Sequence, residues 1–234
     1  MMHYDLLSFD LDGTLVDTAA EIAEAANRAL ESHGIARRPT AAITMLIGAG
    51  TRDLMLQLLA QAFIDNTALA QTVMPEAVLA SMDHHYAITT GSSAIPYDGA
   101  RDALERLKAQ GIRLACVTNK ELRHASRVLQ VTRLDGYFDL VIGGDSLPEK
   151  KPHASVLEYV VSHFHGSVDR CAHVGDSRTD VEAAHNAGVA AWAVPYGYNA
   201  GVPIEEARPD IIFDNLQQIA EHVITGQARA RASA

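Results

Sequence analysis

Two carboxylates two residues apart, Asp10 and Asp12, close the apolar run Leu6-Leu7-Ser8-Phe9, and Gly13-Thr14 follows at once. A carboxylate can serve as a nucleophile, and a second carboxyl can donate and then withdraw a proton. An Asp-rich turn that only stops a strand would read the same way. Further along, Val117-Thr118-Asn119-Lys120 offers a Thr hydroxyl and the next backbone N–H, both suitable donors to a phosphoryl oxygen. The same residues also make an ordinary strand-to-helix turn and cap. Lys150-Lys151-Pro152 opens a helix, where a cation opposes the helix dipole unless it serves another purpose or is simply solvated. In His173-Val174-Gly175-Asp176-Ser177-Arg178-Thr179-Asp180, two more acids follow a strand. They suit an oxygen-ligated Mg²⁺ site, and they equally suit helix capping.

These groups need elements to bring them together. The run 6–9 reads as a buried strand, and its carboxyl end is where open α/β sheets bind ligands. From residue 96 onward the pattern alternates. Helices are predicted over 98–111, 121–130, 152–164 and 180–187, with strands over 112–117, 139–142, 171–174, 190–194 and 210–213 and a closing helix. Alternation of this kind implies a parallel sheet with helices on both faces. Between the first strand and residue 92 only helices are predicted, over 17–33, 52–63, 68–73 and 75–89. Asp17 or Thr18 caps the first, whose apolar face is Ile22, Ala25, Ala26, Ala29 and Leu30. The expected division is a core of 1–16 and 93–234 with a helical domain, 17–92, inserted after the first strand.

Composition narrows the function classes. The 234 residues are 48% hydrophobic and 21% charged, as in soluble globular proteins. A net charge of −10 argues against nucleic-acid and anionic-membrane partners, and means that an anionic substrate needs local help from a metal, a Lys or helix amino termini. No apolar stretch reaches the ~20 residues of a membrane-spanning helix, and no signal-peptide layout is present, so a cytoplasmic location is expected. Cys116 and Cys171 both fall in expected strands and read as buried reduced thiols. None of the eleven histidines stands in a metal-ligand framework.

The order Asp-x-Asp-Gly-Thr, Thr-Asn, Lys-Pro, Gly-Asp-x-x-x-Asp resembles the four motifs of the haloacid dehalogenase-like phosphohydrolases, over most of the chain. That resemblance implies a doubly wound, Rossmann-like α/β sheet with an inserted helical (C1-type) cap domain. It also implies roles. Asp10 would be the nucleophile that forms an aspartyl-phosphate, and Asp12 the general acid/base. Thr118, the Asn119 backbone and Lys151 would hold the phosphoryl group. Mg²⁺ would bind Asp10, the Asp12 carbonyl and Asp176, supported by Asp180. Dehalogenases of the family lack the second Asp, so phosphate transfer is favoured.

The substrate, a small phosphorylated metabolite, would be read by the cap loop Ile47-Gly48-Ala49-Gly50-Thr51-Arg52. The Gly48 and Gly50 positions allow close backbone approach or a plain helix–helix turn. Arg52 is a candidate for a second substrate anion or a solvated helix residue. With Gly-Asp-Ser-Arg-Thr-Asp, the segment Tyr196-Gly197-Tyr198-Asn199-Ala200-Gly201 resembles bacterial phosphoglycolate phosphatases. Thr51-Arg52 also resembles the Ser-Arg of β-phosphoglucomutases. Sugar phosphates, pyrophosphate and phosphoglucomutase chemistry therefore stay open as alternatives, as does a Leu- and Met-rich cap face that forms a homodimer. A catalytically silent binding partner would lack one of Asp10, Asp12, Lys151 or Asp176, and all four are present.

Overall fold

The computed structural model describes residues 3–232. Its strands are β1 (Leu6–Phe9), β2 (Val16–Asp17), β3 (Ile95–Pro96), β4 (Arg113–Val117), β5 (Leu140–Ile142), β6 (Cys171–Gly175), β7 (Ala190–Ala193) and β8 (Ile211–Ile212). Six of them form one sheet in the order β5-β4-β1-β6-β7-β8, and every pairing in it is parallel. The chain builds outward from β1 in both directions, so β1 sits centrally with β4 and β6 as its neighbours. The carboxyl end of β1 is therefore the switch point at which such sheets place ligands.

Successive side chains of a strand face opposite layers. On β4, Leu114 and Cys116 pack into one core while Ala115 and Val117 pack into the other. The helices α6 (Ala100–Ala109), α7 (Leu122–Thr132) and α10 (Leu216–Ala232) cover the first face. The helices α8 (Ala154–His163) and α9 (Arg178–Ala187) cover the second. The central strands thus read as continuous apolar runs because both faces are buried. Both cysteines are free and buried.

Between β2 and β3 come α1 (Ala19–Ser32), α2 (Thr40–Thr44), α3 (Thr51–Asp65), α4 (Leu69–Thr72) and α5 (Pro75–Thr89). They share a core of their own, in which Ile22, Ala26 and Leu30 of α1 meet Leu54 and Leu58 of α3 and Met82 and Tyr86 of α5. Where the chain leaves the sheet and returns, β2 and β3 pair antiparallel, Val16 opposite Pro96 and Asp17 opposite Ile95. Neither this ribbon nor α2 has a sequence signature. Two-residue strands carry no alternation, and α2 buries only Ile43. Among the described residues no helix is long and apolar enough to cross a membrane.

Candidate active site

The ends of β1 and β6, the turn into α8 and the first turn of α9 bring Asp10, Asp176, Lys151 and Asp180 together. Asp10 follows β1 and is held by its backbone N–H, which donates to the Val174 carbonyl at 2.8 Å. Lys151 reaches across from the α8 side. Its Nζ donates to Asp10 Oδ1 at 2.8 Å, Asp180 Oδ1 at 2.7 Å and the Val117 carbonyl at 2.6 Å. All three ammonium hydrogens are used, which fixes the charge beside the first carboxylate.

Asp180 sits in the first turn of α9, where its Oδ2 accepts from the Ser177 N–H at 3.1 Å and from Ser177 Oγ at 2.6 Å. The capping expected there is present, and the other carboxylate oxygen is turned inward onto Lys151. His173 also lies 3.2 Å from Asp180 Oδ1 and 2.9 Å from Ser8 Oγ, a buried support that local sequence does not reveal. Asp176, at the end of β6, accepts from Thr14 Oγ1 at 3.0 Å and from the Tyr198 N–H at 2.6 Å. It is wedged between two glycines. A Cβ on Gly13 would stand 2.3 Å from Asp176 Oδ2, and one on Gly197 would stand 2.1 Å from it. Gly13 has in addition a φ of +89°, which an L side chain rarely adopts.

Asp10, Asp176 and Asp180 each offer an oxygen within 4.8 Å of the others. Burial drives the Asp10 carboxyl up to about 6, with the Asp180 and Asp12 charges adding to it and Lys151 opposing. Burial, then the charges of Asp180 and Asp10, push Asp176 well above the usual carboxylate range. Burial also works to raise Asp180, but Lys151 and His173 outweigh it and hold that carboxyl low. One ammonium among three buried carboxylates leaves negative charge in excess. Hard oxygen donors with surplus negative charge fit a divalent cation such as Mg²⁺.

Asp12 stands apart from this cluster. Its Oδ1 accepts from Lys120 Nζ at 2.7 Å and from Thr18 Oγ1 at 2.5 Å, and its Oδ2 accepts from Lys120 Nζ at 2.8 Å. Its carboxylate is not part of the group formed by Asp10, Asp176 and Asp180. Thr18 does occupy the cap position of α1, but its hydroxyl makes no cap bond; Asp17 Oδ1 accepts from the Ala19 N–H instead, at 3.1 Å. In a cap the hydroxyl oxygen accepts from a helix N–H; here the hydroxyl is turned instead to donate to the Asp12 carboxylate, a charged acceptor. Tyr198 completes the corner, its hydroxyl accepting from the Thr18 N–H at 2.8 Å and donating to Asp17 Oδ1 at 2.7 Å.

The crevice between sheet and helical insert is lined by Asp10, Asp12, Thr118 and Asn119 from below and by Gly48 and Gly50 from above. The Asn119 side chain joins the two sides, donating to the Gly48 carbonyl at 3.0 Å and to the Lys151 carbonyl at 2.9 Å. Gly50 lies so close that a Cβ would meet the Asn119 carbonyl at 3.0 Å. Thr51 Oγ1 donates to Glu121 Oε1 at 2.5 Å, and Lys150 Nζ bonds Asp53 and the Ala49 carbonyl. Arg52 is exposed and does not line the crevice, whereas Lys120, with no distinctive sequence signal, does.

The haloacid dehalogenase-like hydrolase family profile matches residues 7–194. A phosphoglycolate phosphatase of Pasteurella multocida is 35% identical over 219 residues, covering 94% of this chain and 98% of the relative. Phosphoglycolate phosphatase 1 of Pseudomonas aeruginosa is 38% identical over 217 residues, covering 92% and 78%. A crystal structure described as a predicted phosphoglycolate phosphatase from Haemophilus somnus superposes with a TM-score of 0.86 at 33% identity, over 94% of this chain and 98% of that one. With carboxylates clustered at the switch point of a doubly wound sheet and likeness along nearly its whole length, the chain belongs to the haloacid dehalogenase-like hydrolases.

Proposed function

We propose that the protein is a Mg²⁺-dependent phosphomonoester hydrolase that works through an aspartyl-phosphate on Asp10, with 2-phosphoglycolate as its substrate. The observation that carries the reaction type is the separation of environments between two neighbouring carboxylates. Asp10 lies in the acidic cluster against Lys151, while Asp12 is drawn away by Lys120 and Thr18. One is placed to bond phosphorus and the other to handle a proton.

In the first step an Asp10 oxygen bonds to phosphorus as the ester P–O bond breaks, and the Asp12 carboxyl gives its proton to the departing alkoxide. In the second, Asp12 as carboxylate takes a proton from water, whose oxygen attacks phosphorus and frees Asp10 and inorganic phosphate. Lys151 holds the Asp10 carboxylate in place and offsets charge that would otherwise repel a phosphate dianion. The Thr118 hydroxyl and the Asn119 backbone N–H supply neutral donors to the phosphoryl oxygens. Asp10, the Asp12 carbonyl and Asp176, backed by Asp180, would hold Mg²⁺, which when bound neutralises charge on the transferring group. Helices α1 to α5 act as the cap over this crevice.

The choice of phosphoglycolate rests on relatives of that name that match along most of the chain. Purified protein with Mg²⁺ and a panel of small phosphomonoesters tests it. The highest kcat/KM is expected on 2-phosphoglycolate; turnover of hexose phosphates or pyrophosphate with none of 2-phosphoglycolate would refute the substrate.

A further inference from the structure

The cluster on Lys151 accounts for a phosphoryl group and leaves the rest of an anionic substrate without a counter-charge. On a chain of net charge −10, a second anion needs a specific cation. Lys151 has no donor to spare. Lys150 is engaged by Asp53 and the Ala49 carbonyl outside the crevice lining, and Arg52 is exposed. Among the described residues that line the crevice, Lys120 is the one cation.

Its setting is unusual for a lysine. The side chain is 1% exposed, and the ammonium lies 5.0 Å from the centroid of the Tyr86 ring. Two of its three hydrogens go to the two oxygens of Asp12. Among the described residues no other acceptor lies within hydrogen-bond distance of this Nζ, although the Glu21 carboxylate also feels its charge. A buried ammonium with an unused donor is a strong receptor for an anion, because little water competes for it.

We propose that Lys120 determines specificity at this site: its free donor receives a carboxylate carried by the alcohol half of the phosphomonoester, one carbon from the ester oxygen. The proposal deepens the function argued above and rests on the reading of Asp10 as nucleophile and Asp12 as acid. Asp12 must come within hydrogen-bond distance of the ester oxygen to protonate it. An ammonium held on both oxygens of Asp12 is then beside the leaving group, within reach of a carboxylate attached one carbon away. Alcohols without an anion there leave the third donor unsatisfied, and the site selects against them.

The test uses a matched pair, 2-phosphoglycolate and 2-hydroxyethyl phosphate, which replaces the carboxylate by a hydroxymethyl group. Both leaving alkoxides need a proton, so a defect confined to Asp12 would lower the two equally. The wild-type enzyme should favour phosphoglycolate in kcat/KM by about tenfold or more. In Lys120→Met and Lys120→Gln, checked for folding by thermal melting, that preference should fall by about ten- to a hundredfold, beyond any loss common to both esters. An unchanged preference in a folded variant overturns the proposal and leaves the phosphatase reading standing. A wild-type preference near one overturns it without reference to any variant. Hydrolysis of neither ester removes the substrate reading itself, and the proposal with it.

Discussion

Replacing Thr18 by Val removes one hydroxyl and keeps the shape of a fully buried side chain. At a helix cap such a change would ordinarily cost a cap bond, but here the hydroxyl makes none and donates to Asp12 Oδ1 at 2.5 Å. A hydrogen bond to a charged group contributes about 1.5–3 kcal/mol. Lys120 still bonds both oxygens of Asp12 in the variant, so the lower end applies. About 1.5 kcal/mol corresponds to roughly a tenfold fall in kcat/KM if the bond aligns Asp12 to protonate the leaving group. The Tyr198 hydroxyl still accepts from the Thr18 backbone N–H, so the main chain stays anchored. The assay compares kcat/KM, which reports phosphoryl transfer to Asp10 and not the Asp12-assisted hydrolysis that both substrates share, on 2-phosphoglycolate, whose alkoxide needs a proton, and on p-nitrophenyl phosphate, whose phenolate does not. A tenfold loss on the first, less than about threefold on the second, and recovery in Thr18→Ser are expected. Equal losses on both, or no loss on either, would show that Thr18 does not act through the acid/base carboxylate.

Two further outcomes follow from the same geometry. Chelation by EDTA should abolish turnover and Mg²⁺ should restore it, while Asp176→Ala should raise the Mg²⁺ concentration required or remove activity; full activity without metal refutes the acidic cluster as a cation site. Stability should also carry the titration of His124, which burial first, then the Arg123 and Lys120 charges, bring down to about 4. Neutral in the fold but with a pKa of about 6.5 once unfolded, it binds a proton on unfolding. Its contribution is complete above about pH 6.5 and is lost as pH falls toward 4. The urea midpoint of wild type should therefore fall relative to that of His124→Gln as pH drops from about 6.5 toward 4. A difference independent of pH would contradict the assignment.

Most of the sheet could be read from the chain because its central strands are buried on both faces and end abruptly in Asp, Thr or Gly. That pattern put Asp10, Thr118 and Asp176 at strand ends, and the structure has them adjacent because β4 and β6 flank β1. The spacing of α1, α3 and α5 was legible for a similar reason, each burying one apolar face in a shared core. What stayed hidden depends on distant partners. Lys120 is an ordinary residue after a Thr-Asn turn until Asp12, 108 positions earlier, is beside it. Thr18 reads locally as a cap and is diverted by that carboxylate. His173 looks like any polar residue in a strand until Ser8 and Asp180 close on it. Arg52 shows the converse: a suggestive neighbourhood in sequence, with a side chain that the fold leaves at the surface.

The central claim is a covalent phosphoryl group on Asp10. Rapid acid quench of enzyme mixed with 2-phosphoglycolate and Mg²⁺, followed by peptide mass spectrometry, reads it directly. One phosphoryl group should appear on the peptide that contains Asp10 and be released by hydroxylamine. It should be absent from Asp10→Asn, which should melt as a folded protein and lack turnover. Steady hydrolysis with no modified Asp10, or an Asp10→Asn variant within about tenfold of wild-type activity against the ~10⁶-fold or greater accelerations of enzymes, would contradict the account.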